Sequence, residues 1–195
     1  MLQARKGRVQ SVVRGLSAIM LTYALAVASG AQAGYERTAA VKKFFGSYEG
    51  YTISSQDEGL TKRDLNIEIK PFEDEGFTVA WTTVLRKADG KERSKAYTVN
   101  FLPSSRSSVY AAAAKKDLFG HMKPLNPLEG DPYVWAAIDG DTLTVRSLHI
   151  GKTGGYEIQV YGRTLTKDGM ATRFERIRDG QNLKIIEGML KRVSK

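Results

Sequence analysis

The sequence predicts an all-β protein: an antiparallel up-and-down barrel of about 8–10 strands with a short N-terminal helix. Three observations lead there. Apolar residues recur at every second position in run after run, the period of a half-buried strand. Asp-Gly pairs stand between these runs at Asp89-Gly90, Asp139-Gly140, Asp168-Gly169 and Asp179-Gly180, and Asp-Gly between alternating residues is the strongest short-range hairpin signal. No long segment carries a helical period, and consecutive hairpins make a meander that closes into a barrel or folds as a sandwich.

The chain begins with a segment set apart from the fold. Arg5, Lys6, Arg8 and Arg14 precede the apolar stretch GLSAIMLTYALAVASG, and Ala31-Gln32-Ala33 follows it. That is the order of a secretory signal peptide, and the apolar run is short of the roughly 20 residues of a membrane-spanning helix. We expect residues 1–33 to be removed and residues 34–195 to form a single barrel domain in the periplasm or outside the cell.

Arg37–Gly46 opens that domain as a short helix, with Thr38 as N-cap and Val41, Phe44 and Phe45 on one side to cover a barrel end. The first clear strand is DLNIEIK, with Leu65, Ile67 and Ile69 on one face. FTVAWTTVL sets Phe77, Val79, Trp81 and Leu85 together, and KAYTVNF sets Tyr97, Val99 and Phe101. SSVYAAAAKK reads as helix by its alanines and as strand by the meander; strand is the expectation. Residues 115–132 hold three prolines and two glycines, so they form no central strand and suit an end-covering loop. YVWAAI then presents Tyr133, Trp135 and Ala137, TLTVRSLHI presents Leu143 and Val145, and YEIQV presents Tyr156, Ile158 and Val160. MATRFERI and LKIIEGML end the chain with looser alternation.

Between two of these strands lies HIGKTGG, which shares Gly-Lys-Thr with phosphate-binding loops. Such a loop needs an earlier glycine where this chain has Arg146, and a helix where this chain alternates. Gly151 to Gly155 is therefore expected to be a hairpin turn.

The formal net charge of +9 falls to +5 once the four leader cations are set aside, and the remaining bases are interleaved with acids. A nucleic-acid binder clusters them on a stripe, so no nucleic-acid partner is expected; peripheral contact with an anionic membrane fits the mild excess. The chain has no cysteine, which excludes a disulfide framework, a thiolate nucleophile and a thiolate metal site.

Catalytic constellations are missing from the pattern. Of the two histidines, His121 lies in the Pro/Gly-rich segment and His149 at a strand end in phase with Leu143 and Val145; both suit structural hydrogen bonds better than metal ligation. Glu73, Asp74 and Glu75 sit beside Gly76 as a solvated turn. We expect no catalytic residues, metal or cofactor. The aromatic residues suggest binding instead: Phe77, Trp81, Tyr97, Phe101, Tyr133, Trp135 and Tyr156, with His149 at the rim, would face inward and contact a small hydrophobic or lipid-like ligand. The same rings would equally fill a core. In that case the barrel would serve as a protein-binding or cell-envelope structural module through strand faces such as Gln159, Tyr161 and Arg163.

The short helix running through Gly46-Ser47-Tyr48 into the first strand of a meander resembles the lipocalin-type calycin barrels. Their G-x-W signature places a Trp on the barrel floor against a late-strand Arg. Here Tyr48 stands in place of the Trp, and the resemblance implies Arg173 or Arg176 as its partner. It also implies a small apolar or amphipathic ligand and no catalysis; the strand count fits a fatty-acid-binding-protein-like barrel as well.

Overall fold

The structure, a computed structural model, describes residues 39–54, 61–73, 75–86, 91–116, 122–123 and 125–194. The expected leader, His121 and the Asp89-Gly90 turn lie outside them. A helical turn over residues 39–42 leads into β1 (Gly46–Ser54), β2 (Thr61–Phe72), β3 (Gly76–Arg86), β4 (Glu92–Pro103) and β5 (Val109–Ala112). The two-residue strands β6 (Lys115–Lys116) and β7 (Met122–Lys123) pair only with each other. Then follow β8 (Tyr133–Asp139), β9 (Thr142–Ile150), β10 (Tyr156–Leu165), β11 (Gly169–Arg178) and β12 (Gln181–Ser194).

Ten of these strands form one closed antiparallel barrel, in the order β1-β12-β11-β10-β9-β8-β5-β4-β3-β2. Every strand pairs with its sequence neighbour except where β5 meets β8 and where β12 returns to β1. Closure leaves no sheet edge unpaired, so a chain without disulfides holds its ends through the β1–β12 ladder. The alternation of β2 is realised as read: Ile67 and Ile69 are buried, while Asn66, Glu68 and Lys70 are exposed.

Short turns gather one end of the barrel, and this end is filled. Phe77 stacks on Phe101 with ring centroids 5.1 Å apart and meets the edge of Tyr110 at 4.9 Å. Val41, Phe44, Tyr48, Ile69, Val79, Leu143, Val145, Met170 and Leu190 complete this core. The helical turn lies across it, as its apolar side predicts. The Tyr48 hydroxyl donates to the Phe44 carbonyl at 2.8 Å, and Arg192 donates to that hydroxyl and, at 2.8 Å, to the Lys43 carbonyl. The Arg192 guanidinium also lies 5.0 Å from the centre of the Tyr48 ring. The expected floor contact therefore exists, but its cation is Arg192 and not Arg173 or Arg176. Residue 192 is the cross-strand partner of Tyr48 in the β1–β12 ladder, whereas Arg173 ion-pairs on the outer wall with Glu175 and Glu187.

The turns match the sequence unevenly. Asp179 and Gly180 both have positive φ, at 47° and 81°, as a two-residue hairpin of the expected kind requires. At the β8–β9 hairpin the loop is Gly140-Asp141, one residue further on. Gly169 is the first residue of β11, just past the turn, where its carbonyl accepts from Thr166 N–H at 3.0 Å. Gly151–Gly155 closes a hairpin through Gly151 N–H to Gly155 C=O at 2.7 Å, so the Gly-Lys-Thr motif is a turn.

Candidate functional site

The opposite end of the barrel is hollow. An open-mouthed cavity of about 440 Å³ is lined by the inward faces of β1, β2, β3, β4, β10, β11 and β12, a size in the ordinary range for small-ligand sites. Its aromatic wall is a chain of ring contacts. Trp81 stacks on Tyr97 at 5.1 Å and meets Tyr161 at 5.3 Å, and Tyr161 meets Phe174 at 4.9 Å. Leu65, Ile67, Leu85 and Ile186 add aliphatic surface.

Polar side chains share this interior. Arg163, on β10, is only 2% exposed. Its guanidinium carbon lies 5.2 Å from the centre of the Trp81 ring and 5.7 Å from that of Tyr161. It donates to the Tyr161 backbone carbonyl at a long 3.3 Å, its Nε has no hydrogen-bond partner, and no carboxylate pairs with it among the described residues. Burial pulls its pKa down to about 10, with the neighbouring Tyr161 opposing. Desolvating a cation costs several kcal/mol; the two ring contacts offset part of this, each by about 2 kcal/mol or more where desolvated, while Nε still lacks a partner. The site thus holds a cation that the fold compensates only in part.

Above it runs a connected network. The Tyr161 hydroxyl donates to Gln159 at 2.7 Å, and the Gln159 amide donates to Glu157 at 2.8 Å. Glu157 also accepts from Arg176 at 2.8 Å and Arg178 at 2.9 Å. The Arg176 hydrogen bond, above all, holds the Glu157 carboxyl down at about 2, against the opposing effect of burial. Burial, chiefly, pushes the Tyr161 phenol up to about 12. Further cations line the cavity: Arg63 on β2, Arg93 and Lys95 on β4, and Lys184 on β12. No carboxylate is among the described lining residues, so the interior is cationic as well as aromatic.

Trp81 and Tyr97, both sequence candidates, meet in this cavity. Phe77 and Phe101 pack in the filled half. His149 is partly buried on the inner face, with Nε2 2.9 Å from the Ser147 hydroxyl, and stands outside the cavity lining. The remaining three lie on the outer wall, which corrects the expectation that they face inward. Tyr133 is 48% and Tyr156 40% exposed, and Trp135 tilts against Tyr133 at 5.8 Å. The inward residues of β8 are Val134, Ala136 and Ile138; every position from 133 to 138 is apolar, so composition alone leaves the phase open. In β10 the phase is inverted: Ile158 and Val160 face outward, while Gln159, Tyr161 and Arg163, expected as a surface for a partner, face the cavity.

The sequence places Arg163 on an outer face and Arg176 at the Tyr48 floor, and it gives no role to Glu157 or the β4 cations, because polar residues are assigned to solvent. One signal for them was present. A five-residue loop at 151–155 pairs Val145 with Tyr161 and Leu143 with Arg163, and cross-strand partners share a face. No protein-family model matches the chain, and no curated protein resembles it.

Proposed function

We propose that this protein is an exported lipocalin-like barrel that binds a small hydrophobic or lipid-like molecule in its interior. One observation carries the reading: half of the barrel is core, and the other half is a cavity of about 440 Å³ walled by Trp81, Tyr97, Tyr161 and Phe174. A fold selected only for stability would pack this end with interdigitating side chains as it packs the other. Export rests on the leader sequence alone.

Native mass spectrometry of the protein from its own host, against its denatured mass, tests the reading. Extra mass that leaves on unfolding, with the composition of a lipid or small apolar metabolite, is the expected result. A bare chain from every preparation, with no binding of added lipids, would sink it.

A second reading, a barrel acting on a protein partner through its outer wall, is supported by one feature. Tyr133, Leu148, Ile158 and Ile177 are successive cross-strand partners on the outer face of β8–β11, an apolar row with Trp135 beside it.

A further inference from the structure

We infer that the ligand is an anionic amphipath, an oxyanion on an apolar body, whose acid group seats against Arg163 while the body lies along Trp81, Tyr161 and Phe174. This rests on the interior-binding reading above and adds the chemical class of ligand to it.

Three observations carry it. First, Arg163 is the most deeply buried cation of the cavity and, unlike Arg176 with its Glu157, has no acid paired with it: it is 2% exposed and its Nε has no partner. A buried arginine normally has a carboxylate beside it, and an incoming oxyanion would supply that missing charge through the fork geometry for which guanidinium is suited. Second, the interior acid of the same strand is neither near nor free. Glu157 stands toward the other end of β10, where it serves Gln159, Arg176 and Arg178, so it leaves Arg163 without a counter-charge. Third, the mouth has the same sign. Arg93 and Lys95 extend the inward face of β4 beyond Tyr97, and no carboxylate pairs with either among the described residues. These exposed cations are hydrated and need no anion, but their field draws anions to the opening. A cationic ligand would meet repulsion at the mouth and at the floor, and a neutral one would leave Arg163 uncompensated.

The test compares headgroups on one chain length. The protein, freed of co-purified lipid and kept without detergent, is titrated with dodecanoate, dodecyl phosphate, dodecan-1-ol and inorganic phosphate, all below micelle concentrations, and Kd is read by calorimetry. At least one of the two acids should bind about tenfold or more tightly than the alcohol, the size of one charge-assisted hydrogen-bonded contact; which acid does so identifies a carboxylate or a phosphate head. Arg163→Met should close the gap, bringing the acid's affinity down to that of the alcohol on the same variant. Equal binding of acids and alcohol by the unaltered protein would overturn the inference while leaving the lipid-binding reading intact. Inorganic phosphate binding as tightly as dodecyl phosphate would overturn it in favour of a bare-anion site. If no chain-bearing compound binds, the lipid-binding reading falls with it. The headgroup comparison needs only the unaltered protein, so it decides the matter even if Arg163→Met does not fold.

Discussion

Glu157 shows how one side chain ties stability to pH. Its carboxyl is held at about 2 in the fold, chiefly by the Arg176 hydrogen bond, against an ordinary value near 4.5. A carboxyl depressed on folding adds stability above its unfolded pKa and loses it as pH falls through the folded one. The contribution should thus be complete above about pH 5 and vanish between about pH 4.5 and 2. Glu157→Gln keeps the shape and removes the charge that Arg176 and Arg178 share. We expect it to cost on the order of 2 kcal/mol at pH 7 and to match the unaltered protein near pH 2. Urea unfolding across that range checks this; a constant difference at every pH would mean the ion pairs contribute nothing. In the sequence Glu157 appears only as the polar half of an alternating run, because its two cationic partners arrive from β11.

The elements were largely legible, since strand formation depends on alternation and hairpins on turn residues that lie close together in the chain. Asp179-Gly180 is the clearest case. Gly169 is the exception: its position next to Asp168 suggests a turn, yet it sits in β11 where β12 crosses closely. A Cβ built there would fall 2.0 Å from the Leu190 carbonyl oxygen, a backbone atom that cannot swing aside. Gly169→Ala should therefore force β11 from β12 and cost about 2 kcal/mol or more. Thermal unfolding measures it, and a melting temperature unchanged by the substitution would contradict so close an approach. Which glycines serve turns and which serve contact depends on the strand laid across them.

For the molecule as a whole, the inner and outer walls are the rival binding surfaces. The two tryptophans separate the alternatives, because Trp81 is buried at the cavity while Trp135 belongs to the outer wall. Trp81→Leu should weaken binding of the anionic dye anilinonaphthalene sulfonate by about tenfold, the worth of one well-packed aromatic contact, and Trp135→Leu should leave it unchanged. Fluorescence titration reads both. The reverse order would move function to the row of Tyr133, Leu148, Ile158 and Ile177.

The sequence by itself determined the all-β class, the meander, the capping turn with Val41 and Phe44, and the identity of GKTGG as a turn. Each rests on interactions between residues near in the chain, where period and φ are the governing physics. Tertiary structure decided which face of each strand looks inward, that Arg192 and not Arg173 or Arg176 meets Tyr48, and that Arg163 is buried without an acid. Those outcomes depend on register around a closed barrel. There a polar phase can face in, because one half of the interior is a cavity and not a core, and local hydrophobicity carries no record of that division.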